Sequence, residues 1–261
     1  MTDVTVVRAD NPGPMTLDGT RSYVLRAPGS ASCVVVDPGP DVEEHLSTLA
    51  GAGPVELVLV THRHADHTAG SARLHALTGA PVRAADPAHC HGGEPLRGGE
   101  RIDAAGLRLD VLATPGHTAD SVSFVVTGPD DVPVVLTGDT VLGRGTTVIA
   151  EPDGSLRDYL ASLDVLERAG DGRVGLPGHG PALDDLGTAV RSYRAHRLER
   201  LDQVRSALAE LGRDARSDID GNGDLADAVV ARVYADVDPS VRRAARQSVV
   251  AQLAYLRDAP V

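Results

Sequence analysis

The 261-residue chain is predicted to fold as a layered α/β (α+β) domain followed by a small helical one, on three observations. Short β-branched runs separated by turn residues fill the first two-thirds. Helical patterns lie between those runs. After Leu186 the strands stop and only helical patterns remain, which places a domain boundary there, between residues 1–185 and 186–261. Strand-rich stretches on either side of Gly116 suggest two sheets packed face to face with helices outside.

Strands are expected at Val4–Arg8, Ser22–Arg26, Ser32–Asp37, Val55–Val60, Leu107–Leu112, Ser121–Thr127, Val132–Leu136 and Arg173–Leu176. Asp41 followed by Glu44 is a capping-box arrangement opening a first helix. Thr68–Leu77, ended by Gly79 and Pro81, reads as a second. Ser155–Arg168 is a third, with Leu156, Leu160, Leu163 and Leu166 at helical spacing. A long amphipathic helix runs from about Leu186 to Leu211, then come the loop SDIDGNGD and helical stretches at Leu225–Tyr234 and Pro239–Tyr255.

Hydrophobic residues make up 42% of the chain and aromatics only 2%, so the core must be built from Val, Leu, Ile and Ala. All 25 basic residues are Arg. Residues 186–261 carry 12 Arg against 11 acids, whereas residues 1–185 carry 13 Arg against 26 acids. So acidic a first domain counts against a broad phosphate-binding surface. The start of the chain lacks a basic segment leading into an apolar one, and no stretch approaches the length of a membrane span, so neither signal peptide nor membrane association is expected. Cys33 and Cys90 are too few for a disulfide framework, and the expected compartment is the reducing cytoplasm.

Candidate chemistry is concentrated in the histidines. Directly after Val55–Val60 comes His62-Arg63-His64-Ala65-Asp66-His67. In an extended segment alternate side chains point the same way, so His62 and His64 can face one ion, while Asp66 and His67, where a helix begins, can be aimed at a second. His117 in PGHTAD, Asp139 in TGDTV and His179 in PGHGP each lie just past an expected strand, beside a Gly. Strand ends of one layered fold gather along one edge, so the four pieces can converge, and a carboxylate such as Asp139 can bridge two ions. His89 and His91 flank Cys90 among Gly and Pro with no carboxylate and read as loop residues. His45, His75 and His196 fall inside helical patterns as surface or packing residues.

With these residues the chain resembles the metallo-β-lactamase superfamily, whose signature is a His-x-His-x-Asp-His run, a lone His, a bridging Asp and a final His. The resemblance implies an αββα sandwich with its site on one edge. It implies one zinc held by His62, His64 and His117, another held by Asp66, His67 and His179, and Asp139 bridging. The segments NPGPMTLDGTRSYVL, GDTVLGRGTTV and PGHGPA, followed by YRAHRLERLDQV, are similar to the β-lactamase-like protein 2 family. Its best-known member is a mitochondrial endoribonuclease acting on single-stranded RNA, and it carries a C-terminal domain of winged-helix type. The chain ends soon after Tyr255, which leaves little room for the hairpin of a full winged helix.

The expected chemistry is hydrolysis by a water between two Zn²⁺ ions, about 3.5–4 Å apart, that becomes hydroxide at neutral pH, with Asp66 also orienting it. Manganese or iron suits the same donors. Endoribonuclease-like cleavage of single-stranded RNA is the first expectation, implied by the resemblance to the β-lactamase-like protein 2 family and supported by Arg191, Arg194 and Arg197 at near-helical spacing. A thioesterase or glyoxalase-II-type hydrolase of a small acyl (thio)ester is another, supported by the acidic surface. β-Lactam hydrolysis is not expected. A non-catalytic nucleic-acid-binding module is the reading of another class, and seven intact ligand positions argue against it. Asn11, Thr20, Arg144, Thr146 and Thr147 are candidate substrate contacts. Oligomeric state is not legible.

Overall fold

The computed structural model describes residues 1–215 and 224–258; most of the SDIDGNGD loop lies outside the described residues. Two five-stranded sheets form its centre. In the first sheet β1 (Asp3–Arg8), β2 (Arg21–Arg26) and β3 (Cys33–Val36) run antiparallel, and β4 (Val55–Leu59) and β5 (Val82–Arg83) continue parallel to β3. In the second sheet β6 (Arg101–Ala104), β7 (Leu107–Ala113), β8 (Val122–Thr127) and β9 (Val134–Gly138) run antiparallel, and β10 (Gly175–Pro177) lies parallel to β9.

The central strands are apolar at successive positions because both of their faces are covered. In β3, Val34 and Val36 face the second sheet and join Leu57, Leu59, Leu109, Val111 and Phe124 in the inter-sheet core. Cys33 and Val35 point the other way, onto Leu46 and Leu49 of α1 (Glu43–Ala50) and Leu74 of α3 (Ser71–Thr78). Beyond the second sheet, Val125 and Val135 meet Leu160, Leu163 and Leu166 of α4 (Leu156–Gly170) and Val190 and Tyr193 of α5 (Leu186–Leu211). Helix, sheet, sheet and helix are thus stacked in the expected order.

Helix α5 contributes to two cores. Its first half completes the cluster outside the second sheet. Its last turns, through Val204, Ala207 and Leu208, pack on Leu225 and Val229 of α6 (Asp224–Val233) and on Val249 of α7 (Arg242–Arg257). Among the described residues the C-terminal part contains helices and no strand. No helix among them is long and apolar enough to cross a membrane.

The structure departs from the sequence expectations at four points. The Asp41–Glu44 capping box does not form: α1 starts from Val42 without a side-chain cap, and Asp41 faces Arg73 at 3.4 Å instead. The helix expected over Thr68–Leu77 is two helices, α2 (Ala65–Thr68) and α3, because the chain turns at Ala69–Gly70, where the Gly70 N–H donates to the Gly39 carbonyl at 2.9 Å. Strands β5 and β6 were not foreseen, being short edge strands without a β-branched run. The strand expected over Arg173–Leu176 is Gly175–Pro177.

Candidate metal centre

The sheet edge that carries the site is formed by the C-terminal ends of β4, β7, β9 and β10. Past β4 the chain stays extended through His64 (φ −59°, ψ 142°) and then enters the single turn of α2, which carries Asp66 and His67. The two sheets are tied here by the Val122 N–H, which donates to the Thr61 carbonyl at 2.8 Å. The loop after β7 brings His117, the end of β9 brings Asp139, and the end of β10 brings His179.

All seven predicted ligand residues converge. His62, His64 and His117 form one group, His62, His67 and Asp139 a second, and Asp66, His67 and His179 a third; within each group the donor atoms lie within 4.8 Å of one another. His62 Nε2 and His117 Nε2 both face His64 Nδ1, at 3.1 and 3.0 Å. His67 Nε2 faces His179 Nε2 at 3.3 Å, with Asp66 Oδ2 at 3.3 and 3.2 Å from them. Asp139 spans both ends, with Oδ1 3.5 Å from His67 Nε2 and Oδ2 3.3 Å from His179 Nε2 and 3.8 Å from His117 Nε2. Most of these side chains are buried; His64 is exposed and marks the open side.

The outward nitrogens are held from behind. His67 Nδ1 lies 2.8 Å from Asp37 Oδ2, and Asp37 also accepts from the Thr61 amide and hydroxyl at 2.7 and 2.8 Å. His62 Nδ1 lies 3.1 Å from the Thr61 hydroxyl. His117 Nδ1 donates to the Val148 carbonyl at 2.7 Å and has the Thr147 hydroxyl 3.0 Å away. Such contacts fix the tautomer and aim the inner nitrogen.

Protonation differs between the two ends. Burial pushes His62 well down, and burial with His117 alongside lowers His64 to about 4. Burial also lowers His117, although Asp139 opposes it. At the other end burial is outweighed. Asp139 and Asp37 hold His67 well above the ordinary imidazole range, and hydrogen bonds to Asp139 and Asp66 raise His179 to about 9. Burial acts against ionisation of Asp66 and Asp139 too, but the neighbouring imidazoles keep both well below the carboxylate range.

A cation fits this arrangement. Neutral imidazole nitrogens about 3 Å apart oppose their lone pairs, and the buried Asp139 Oδ1 has no hydrogen-bond partner among the described residues. A divalent ion resolves both, and imidazole with carboxylate is the donor set that zinc, manganese and iron accept.

Three supporting residues were not foreseen. Asp37 follows β3 with φ 56°, and nothing in VVVDPG signals that it backs a histidine from another segment. A Cβ on Gly178 would lie 2.5 Å from Asp139 Oδ1 and 2.7 Å from His67 Cε1, so only glycine lets β10 close on the centre. Arg197, 4% exposed, lies with its guanidinium 5.1 Å over the Tyr159 ring and donates to the Thr147 carbonyl. Of the expected substrate contacts, Arg144, Thr146 and Thr147 line a cavity of about 390 Å³ that opens at His117 and Asp139. Asn11 and Thr20 face elsewhere: the Asn11 amide donates to the Thr20 hydroxyl at 3.0 Å, and that hydroxyl donates to Asp66 at 3.0 Å. Of the histidines set aside, His45 is buried against the Ser22 hydroxyl at 2.8 Å, and His75 stacks on His91.

Comparison with known proteins agrees with this geometry. Residues 15–179 match the family model described as the metallo-beta-lactamase superfamily. The chain belongs to that superfamily. It is a metal-dependent hydrolase of this group, whose members bind divalent metals. Residues 226–258 match the beta-lactamase associated winged helix domain. This superfamily member is 31% identical over 259 residues to the beta-lactamase-like protein 2 homolog of Caenorhabditis elegans, covering 94% of this chain and 81% of that protein. It is 31% identical over 245 residues to the atrochrysone carboxyl ACP thioesterase of Aspergillus fumigatus, covering 88% and 74%. The crystal structure of a metallo-beta-lactamase family protein from Thermus thermophilus superposes with a TM-score of 0.74 at 24% identity, covering 98% of this chain and 93% of that one; it supports the fold alone.

Proposed function

We propose that this hydrolase cleaves a small acyl thioester or ester, using two zinc ions. The observation that carries the reading is the cavity of about 390 Å³ that begins at His117 and Asp139. It is walled by Met15, Leu17, Leu142, Val237, Val241 and Ala244, which suits a compact organic acyl group. Endoribonucleolytic cleavage keeps the likeness to the beta-lactamase-like protein 2 homolog but loses the support of the arginine series. Arg191 is paired with Glu167 and Asp171 at 3.5 and 3.4 Å, Arg194 is paired with Asp164, and Arg197 is buried, so the arginine series offers no free basic face to an RNA backbone. One of the relatives carries the name of a thioesterase, in keeping with the cavity.

In this proposal His62, His64 and His117 would hold one ion and Asp66, His67 and His179 the other, with Asp139 within reach of both groups. When bound, a pair of divalent ions supplies an acidified water and a Lewis acid for the acyl oxygen. The chain's own residues do the rest. Asp37, Thr61 and Val148 keep the imidazoles in the tautomer that binds. Asn11 and Thr20 act as positioning residues that aim Asp66, whose carboxylate orients the attacking water. The loop holding Arg144, Thr146 and Thr147 and the helices of segment 186–261 shape the acyl site. Hydrolysis breaks the acyl–sulfur bond, forms an acyl–oxygen bond from water, and leaves the proton on the thiol.

The test is a side-by-side assay of zinc-loaded protein on an N-acetylcysteamine acyl thioester and on single-stranded RNA, with His64→Ala as the control for contaminating activity. Thioester turnover that His64→Ala reduces by at least about a hundredfold is expected. RNA cleavage abolished by His64→Ala, with the thioester untouched, contradicts the reading.

A further inference from the structure

The cavity that begins at the metal centre is bordered by an unusual set of charges. The first 185 residues are strongly acidic, and many of their arginines face carboxylates, as Arg83 does Glu100 at 3.0 Å and Arg101 does Asp110 at 2.8 Å. Arg144, Arg197 and Arg200 all line this cavity, and among the described residues none of them forms an ion pair. Arg197 is 4% exposed, and its Nε has no hydrogen-bond partner among the described residues. Arg200 lies 4.9 Å over the Tyr234 ring and donates to Gln203 Oε1 at 2.7 Å, both uncharged neighbours. Arg144 stands exposed in the loop that follows Asp139. A buried guanidinium without a carboxylate is costly to maintain unless a ligand supplies the anion, and three around one cavity concentrate positive potential there.

We propose that the cavity selects acyl groups carrying a carboxylate remote from the reacting carbonyl, and that Arg144 and Arg200 receive that carboxylate. Buried Arg197 maintains the positive potential behind them, while Val237, Val241 and Ala244 of the helical segment cover the methylenes between. This assignment rests on the thioester reading above and narrows its substrate class to thioesters of short dicarboxylic acids. A guanidinium binds a phosphate as readily as a carboxylate, so the phosphates of a carrier arm are the competing source of the anion.

The full-length zinc-loaded protein is assayed on the N-acetylcysteamine monothioesters of glutarate and valerate, which match in length and lack phosphate. A kcat/KM for glutaryl at least about tenfold above that for valeryl is expected, the margin of one charge-assisted hydrogen bond. Arg200→Gln and Arg144→Gln should each bring that ratio towards one. Arg144 is exposed, so loss of fold cannot explain its effect. Equal rates for the two thioesters, or a ratio that both variants retain, overturns the proposal. So does a dependence on the arginines that appears only with the coenzyme A thioesters, which assigns them to phosphate. Calorimetric binding of free glutarate and valerate separates this failure from that of the thioester reading. With no thioester turned over, glutarate binding that weakens about tenfold in Arg200→Gln upholds the cavity assignment alone, and equal binding of the two acids overturns it.

Discussion

His179 shows how the centre treats protons and cations as alternatives. Burial alone would lower this imidazole, but Asp139 and Asp66 hold its pKa at about 9 in the metal-free chain. At neutral pH a proton therefore sits where a cation would bind, and metal uptake must expel it. His67 is raised as well, so affinity should go on rising with pH to at least about 9, instead of levelling off near the ordinary imidazole value of about 6.5. Competition with a chelator across that range measures this, and an affinity already flat above about pH 7 contradicts it. The seven residues that converge were legible in the sequence because each stands at a strand end in a short run of His, Asp and Gly. Asp37 and Gly178 were not, because one acts through a hydrogen bond to His67, 30 residues away, and the other through the space it leaves empty.

At the scale of elements, strands with both faces covered announced themselves as runs such as CVVV, and the leucine spacing of α4 matched the helix that forms, which Ser155 caps. What failed was local signal overridden by tertiary contacts. Asp41 had the spacing of a capping residue, yet Arg73 from α3 attracts it, and β5 was too short to show a pattern. Helix α5 secures the loop after Asp139 in a way that no spacing reveals. The Tyr193 hydroxyl accepts from the Leu142 N–H at 2.9 Å and donates to the Leu142 carbonyl at 3.2 Å. Tyr193→Phe leaves that buried N–H unpaired and should cost about 1–3 kcal/mol in urea denaturation. A loss below about 0.5 kcal/mol would show that the loop holds itself.

At the scale of the molecule, the change from mixed strands to helices at residue 186 is visible in sequence, but the dependence of one part on the other is not. Leu186, Val190 and Tyr193 belong to the core outside the second sheet, although they lie beyond that point. Losing one such side chain costs about 2–5 kcal/mol, and a domain has only about 5–15 kcal/mol to lose. A chain ending at residue 185 should therefore show no cooperative thermal unfolding by circular dichroism. A melt as sharp and as high as that of the full chain would mean that α5 is dispensable to the sandwich.

The reading as a whole depends on imidazoles and carboxylates from four strand ends sharing divalent cations. Elemental analysis of the protein after zinc loading and gel filtration addresses this most directly. Close to two zinc ions per chain are expected, and Asp139→Ala should retain clearly fewer. Zinc-loaded wild-type protein that emerges with no bound metal would contradict the assignment of these residues as a metal centre.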